Sequence, residues 1–435
     1  MDDKRAPLLE PTHRKGASVW AATVSLVKTC VGTGVLALPY AFSHGGALSV
    51  PGMLALGLWN WWTSMQLLLV RKALSSQACL DVNERSAYSA IVCSAFGRRG
   101  MHLLDSCMGV MLLGVCCALQ IQAVELMYTV SGLPWYACSL VSSCLLAPLV
   151  AQRSLARLSL VSVAGLTVLA IGLMAVLCHG WLKYGWPSRV PSEALSAPKM
   201  AGFAQFFGIA AFSFGLQNVL LPVQDGMSDP VRAPEALLRA IVVVVLAYVL
   251  VGVMLSTLFC SASTGGPEQL IILNLPRPST VASLVQTSSA AVALLSYPMP
   301  LMPLVELVVN LSSHSCHGPQ LGHVKECEPT SVRANLSARF GTLCVTSTAA
   351  LTLRSFGALA GFVGCLGLVT ANLLPPLLHL KLCSWPRLST AHTIRSTAAV
   401  WVLLDSVLVL IGCLAFAYFS ALTGAQMIAA GDPGT

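Results

Sequence analysis

The sequence predicts an all-α membrane protein of eleven transmembrane helices, with the first and sixth broken near mid-membrane and one extra helix at the C-terminal end. Three observations predict it. Hydrophobic residues make up 56% of the 435 and charged residues only 10%, with a mean hydropathy of +0.76, whereas about a quarter of a soluble domain is charged. Apolar stretches of about twenty residues, the length that spans a bilayer, begin near Val19, Leu48, Leu103, Pro134, Leu158, Phe203, Leu237, Ser283, Leu336, Ser355 and Thr397. Lys and Arg also segregate: with the N-terminus inside, nineteen fall on the cytoplasmic side and five (Lys183, Arg189, Lys199, Arg277 and Arg354) on the other, with Lys28 inside the membrane. Cytoplasmic loops of membrane proteins collect such residues.

Residues 1–17 are a cytoplasmic tail. They hold Asp2, Asp3, Lys4, Arg5, Arg14 and Lys15 without an apolar core, so the first span, and no cleaved leader, is expected to direct insertion. The membrane domain covers 18–423, with a first half at about 18–180, a second at about 201–382 and the extra helix at about 397–423; 424–435 form a short tail on the far side. The fourth and ninth spans are short. The eighth is long and holds Pro298, Pro300 and Pro303. The net charge of +8 follows mainly from this topology, with basic residues solvated or against anionic headgroups of the lipid bilayer, and no nucleic-acid site is read into it.

Span one carries the most informative string, Lys28-Thr-Cys-Val-Gly-Thr-Gly-Val-Leu-Ala-Leu-Pro-Tyr-Ala-Phe42. Glycine pairs and a lysine are costly in a helix that only anchors a chain. Irregular backbone at this depth is tolerated where it lines a cavity or meets a ligand. Span six repeats the design, with Phe212-Ser-Phe-Gly215 followed by Asn218-Val-Leu-Leu-Pro222. Spans one and six occupy equivalent places in an inverted repeat of two five-helix halves. Unwinding at Gly32, Thr33 and Gly34 exposes N–H groups that suit an anion such as a carboxylate. The carbonyls of both breaks suit an ammonium group. A zwitterion fits both, so Thr29, Gly32, Thr33 and Gly34 with Phe212, Ser213, Phe214 and Gly215 are the expected substrate-binding residues. Phe212 and Phe214 would shape the side-chain subsite, unless one of them faces core or lipid. Close helix packing is the competing explanation for glycines in membranes. It covers Gly361, Gly364 and Gly367 in span ten, but a spacing of two, as at Gly32 and Gly34, does not fit a helical face.

Four strings in this order resemble the amino acid/auxin permease family of the amino acid-polyamine-organocation superfamily, which includes vacuolar and lysosomal amino acid transporters. They are Val27 to Phe42 in span one, Leu221-Pro-Val-Gln-Asp-Gly-Met-Ser-Asp-Pro230 after span six, Leu295-Ser-Tyr-Pro-Met-Pro-Leu-Met-Pro303 with Glu306 in span eight, and Phe356 to Gly364 leading to Leu374-Pro-Pro-Leu-Leu378 in span ten. The resemblance implies eleven spans with a cytoplasmic N-terminus in a leucine-transporter-like arrangement. It implies a secondary active transporter of amino acids working by alternating access. Many members carry a glutamate after the phenylalanine of the span-six break, where this chain has Gly215. No inference about coupling or substrate charge is therefore drawn from that acid; neutral amino acids are the expected substrates, and a lysine at mid-membrane with no sodium-specific feature makes a proton the expected coupling ion and the protein a symporter.

Lys28 lies roughly nine residues into its span, about 13 Å along a helix. A cation at that depth is a functional candidate and calls for a partner. Glu125, Glu306 and Asp405 are the intramembrane acids, and Glu306, after the prolines of span eight, is the preferred one. Lys28 and Glu306 are therefore proton-coupling candidates, and a purely structural ion pair is the alternative. Most of the sixteen cysteines read as small apolar filler. His314, Cys316, His317, His323 and Cys327 share one loop without zinc-motif spacing, so no metal or other cofactor is assigned. Cys178 and Cys260 fall near the same ends of spans five and seven, a weak hint of a bridge. The absence of a Walker A motif, a Gly-x-Ser-x-Gly elbow or a His-Glu-x-x-His site argues against ATP use and against an enzyme. The second functional reading is an amino acid sensor signalling through its cytoplasmic loops, which are too short to offer much docking surface. In the tail, Asp3-Lys-Arg-Ala-Pro-Leu-Leu-Glu10 resembles an acidic dileucine sorting motif with the acid one residue further from Leu8 than usual. It favours a vacuolar or lysosomal membrane over the plasma membrane.

Overall fold

The computed structural model describes residues 16–75, 87–151, 158–185, 199–260, 266–276, 279–314, 332–383 and 398–431. The sorting motif and most of the histidine–cysteine loop lie outside the described residues. Within them the chain is helical almost throughout, because a backbone in hydrocarbon must satisfy its own polar groups. The helices are α1 (Val19–Cys30), α2 (Leu38–Gly45), α3 (Ser49–Ser75), α4 (Ala87–Ser131), α5 (Trp135–Ala151), α6 (Leu158–Tyr184), α7 (Met200–Ser213) and α8 (Gln217–Asp225). They continue with α9 (Ala233–Cys260), α10 (Thr280–Ser296), α11 (Pro298–His314), α12 (Val332–Thr352), α13 (Phe356–Leu368), α14 (Leu374–Cys383) and α15 (Ala398–Gly431).

Among the described residues seven helical stretches are long and apolar enough to cross a membrane, and they fall on predicted spans three, five, six, seven, eight, ten and eleven. An eighth candidate joins α1 to the run Thr33–Leu74 through a 50° bend. The expected short fourth span is α5, apolar but only 17 residues long. The expected ninth is α12, of 21 residues, rich in Thr and Ser and carrying the buried Arg339. Large apolar side chains such as Leu246, Leu250, Leu284, Leu410 and Leu414 stand exposed on the outside, as lipid-facing residues do.

Local chemistry explains each irregularity. Ser18 caps α1 by accepting a hydrogen bond from the Ala21 amide. The prolines of span eight do not divide it, and Thr280–Val309 forms one membrane-length stretch: α10 passes through Tyr297 directly into α11, whose first residue is Pro298, a position where the missing N–H costs nothing. Span ten widens into a π-turn at Val369–Leu373 just ahead of Pro375 and Pro376, which cannot donate the usual helical hydrogen bonds.

The tightest helix contact is α7 on α13. A methyl group on Gly208 would lie 2.2 Å from the Gly361 carbonyl oxygen, and one on Gly364 would lie 1.9 Å from the Gly208 carbonyl oxygen. Of the three span-ten glycines read as close-packing residues, Gly364 is one by this distance and Gly361 lends its carbonyl to the contact, whereas a methyl on Gly367 would meet the Met111 side chain at an ordinary 3.5 Å. α15 is fastened by Asp405, which is fully buried. Its carboxylate accepts from Trp62 Nε1 at 3.0 Å and Gln66 Nε2 at 3.2 Å, and pairs with His379 Nδ1 at 2.5 Å. Cys178 is in no disulfide, so the hinted bridge to Cys260 is not formed.

Candidate functional site

Both expected breaks are present. α1 ends at Cys30, Val31 turns away at ψ 84°, Gly32 is extended, and the chain resumes as a 3-10 turn over Thr33–Ala37. α7 ends at Ser213, Phe214 leaves the helix at φ −100° and ψ 62°, and α8 starts at Gln217. The breaks face each other. A methyl group on Gly34 would sit 2.7 Å from Ser213 Oγ, 3.4 Å from Phe212 Cδ1 and 3.5 Å from Ser213 Cα. Gly34 is therefore glycine because the 3-10 turn after the first break packs against the last turn of α7 there.

On one side of this contact opens a cavity of about 750 Å³, walled by α1 and its break, α4, α6, α8 and the α10–α11 pair. Lys28, Thr29, Gly32 and Thr33 line it, joined by Gln122, Ser289 and Ser296. No atom lies within 4 Å of where a methyl group on Gly32 would stand. Thr33 and Gly34 open the 3-10 turn, so their N–H groups have no partner within it. Among the described residues Lys28 is the single charged residue of the lining. Gln122 is 1% exposed, and its side-chain oxygen has no hydrogen-bond partner.

On the other side the breaks are covered. Gly34 to Ala37 are buried, and the segment 266–276 folds over them with Leu270, Ile271 and Ile272 fully buried. Gln269 locks this segment to the start of α13, its Oε1 accepting from Ser355 Oγ at 3.0 Å and from the Gly357 amide at 2.9 Å. At the cavity end, the residue ahead of α1 is strapped to the segment after α8: the Ala17 amide donates to Gly226 O at 2.7 Å and the Ser228 amide to Ala17 O at 3.0 Å. Arg71 of α3 pairs with Asp225 at the end of α8 and donates to Gln224 Oε1 at 3.1 Å.

The structure thus brings four of the expected residues, Lys28, Thr29, Gly32 and Thr33, onto one cavity. Gly34 and Ser213 meet behind it. Phe214 is buried with its ring edge-on to Tyr248 at 5.4 Å, Phe212 is half-buried and edge-on to Phe356 at 6.5 Å, and Gly215 is exposed; none of these three lines the cavity. Glu306 is exposed on α11 and does not line the cavity either. Among the described residues neither it nor Lys28 makes an ion pair. Two residues escaped the sequence reading. Gln122 is an amide within an apolar run of α4, and Tyr248 is the lone hydroxyl in the aliphatic stretch 241–251 of α9; a polar group amid such a run was the available signal.

Comparison with known proteins agrees with this architecture. Residues 15–423 match the family described as transmembrane amino acid transporter protein. Vacuolar amino acid transporter 4 of Saccharomyces cerevisiae is 25% identical over 71% of this chain and 44% of its own length. Vacuolar amino acid transporter 3 of the same yeast is 25% identical over 94% of this chain and 56% of its own. Human solute carrier family 38 member 10 is 24% identical over 68% of this chain and 26% of its own. The chain thus spans about half the length of the yeast relatives, or less. Among solved structures, a sodium-coupled sialic acid symporter in a substrate-bound, outward-open state superposes with a TM-score of 0.54 at 12% identity, covering 96% of this chain and 92% of that one. The shared feature is the all-helical membrane transporter fold. The chain belongs to the transmembrane amino acid transporter protein family, a family of carriers and not of enzymes.

Proposed function

We propose that the protein is a secondary active, proton-coupled transporter of neutral amino acids, working by alternating access in a vacuolar or lysosomal membrane. One observation carries the reading: two broken helices meet at the head of a cavity of about 750 Å³ that is open on one side of the contact and covered on the other. A substrate held there meets one face of the membrane at a time. The reading places the helices in eleven spans, two inverted halves of five plus α15, with the N-terminus and the cavity mouth on the cytoplasmic side.

The chemistry of the lining supports the substrate class. The amide at Thr33, on the lining of the cavity, offers a donor to a carboxylate. The Gln122 oxygen offers an acceptor to an ammonium group. No acidic residue lines the cavity among the described residues, so a cationic side chain would be buried there without a counter-charge. Lys28, facing the cavity, is the proton-coupling residue in this reading. The vacuolar relatives favour the membrane.

Uptake of labelled amino acids into liposomes containing the purified protein, with an imposed pH gradient, tests the proposal. Accumulation of neutral but not cationic amino acids, driven by the gradient, is expected. Uptake that depends on sodium and ignores pH would remove the proton, and no uptake at all would remove the transport reading.

A further inference from the structure

The two breaks are joined by a side chain that belongs to neither. Tyr248 of α9 is fully buried, and its hydroxyl lies 2.6 Å from the Cys30 carbonyl oxygen and 2.7 Å from the Ser213 carbonyl oxygen. Cys30 is the last residue of α1 and Ser213 the last of α7. Both carbonyls therefore belong to half-helix C-termini, where C=O groups lack intrahelical partners and the negative end of the helix dipole gathers. A phenol carries one proton. It donates to one carbonyl at a time while standing within hydrogen-bond distance of both. The ring is held by its edge-on contact with Phe214, at 5.4 Å and 69°.

We propose that Tyr248 is a positioning residue that couples the breaks of spans one and six. Its single proton keeps two like-charged helix ends at a fixed spacing, and so sets the distance between the Thr33–Gly34 amides and the span-six backbone opposite. The assignment rests on the transport reading above and deepens it; Tyr248 touches no substrate. Without the hydroxyl the Cys30 carbonyl keeps only the Gly32 amide, at 2.9 Å, the Ser213 carbonyl loses its side-chain donor, and the two ends, no longer bridged, spread apart. The substrate-competent spacing then becomes a minority state, and apparent affinity falls in proportion to its population. The loss of one buried hydrogen bond predicts a change of about tenfold.

Tyr248→Phe keeps the ring and its contact with Phe214 and removes only the hydroxyl. In reconstituted uptake its KM is expected to rise about tenfold with kcat retained. A readout independent of transport comes from Cys30, whose thiol is buried at the end of α1: alkylation of the intact protein, followed by mass spectrometry, should label it several-fold faster in the variant. Phe214→Leu, which loosens the ring and leaves the hydroxyl, should shift both readouts in the same direction by less. An unchanged KM with unchanged Cys30 labelling overturns the proposal, and so does a lowered melting temperature with an unchanged KM, the mark of a hydroxyl that only stabilises the fold. If the wild type carries no amino acid the transport reading fails, and Cys30 labelling alone still decides whether Tyr248 couples the breaks.

Discussion

Replacing Gly34 by alanine is the sharpest probe of the contact between the breaks. The new methyl group would stand 2.7 Å from Ser213 Oγ, well inside van der Waals contact. Its other neighbours, Phe212 Cδ1 at 3.4 Å and Ser213 Cα at 3.5 Å, are close to ordinary contacts, so the serine hydroxyl is what must move. That hydroxyl donates to the Ile209 carbonyl at 3.0 Å, and turning it away forfeits the bond. One lost hydrogen bond plus residual crowding costs about 1–2 kcal/mol, a factor of about 5–30 in the population of the seated arrangement. Uptake of labelled amino acid at subsaturating concentration, measured in proteoliposomes at matched protein content, should fall by that factor. Ser213→Ala removes the obstructing oxygen, so Gly34→Ala combined with it should behave much like Ser213→Ala alone, with a coupling of about 1–2 kcal/mol between the two sites. Gly32→Ala is the control: no atom lies within 4 Å of its added methyl, so the fold should be untouched while the methyl enters the cavity and weakens transport. Wild-type uptake by Gly34→Ala, or an undiminished penalty in the double variant, would refute the contact.

Three further predictions follow. Lys28→Met should fold and bind amino acid normally, since Lys28 leaves no ion-pair partner behind among the described residues, and should lose pH-driven accumulation while keeping exchange; intact pH-driven accumulation in the same liposomes would remove Lys28 from coupling. Gly364→Ala would bring a methyl to 1.9 Å from the Gly208 carbonyl oxygen and 2.6 Å from the Phe212 amide nitrogen, so α7 and α13 must part and the yield of monodisperse protein in gel filtration should collapse. Gly367→Ala meets the flexible Met111 side chain at ordinary contact distances, Sδ at 3.5 Å and Cγ at 3.9 Å, and should be tolerated. Neither Asn310-Leu-Ser312 nor Asn335-Leu-Ser337, both glycosylation patterns, should carry glycan on a mobility-shift blot. Both belong to the cytoplasmic side in the proposed topology, and Asn335 Oδ1 is already engaged by Arg339 Nε at 2.7 Å.

Fold class was legible from residues alone because a bilayer imposes one rule on every span: about twenty apolar residues, helical hydrogen bonding throughout and basic residues on the inner side. The breaks at Gly32–Gly34 and Phe212–Gly215 were legible for the same reason, since irregular backbone in hydrocarbon demands an excuse. What each break residue does was not. Gly32 and Gly34 read alike in sequence, yet one faces open space and the other abuts Ser213; a one-dimensional string carries no information about which helix lies opposite. Pairing of Lys28 with Glu306 was a guess about distance, and the exposed carboxylate on α11 makes no such pair. The acid that tertiary structure does engage is Asp405, held by Trp62, Gln66 and His379 from two other helices. Gln122 and Tyr248 went unread because a polar group in an apolar run is ambiguous until its neighbours are known. Sequence by itself determined that the chain crosses a membrane and where its helices break, as properties of short segments in a uniform solvent. Only the tertiary structure decided which broken ends meet, what bridges them and which side of that contact is open, because contacts between residues hundreds of positions apart depend on how all the helices pack at once.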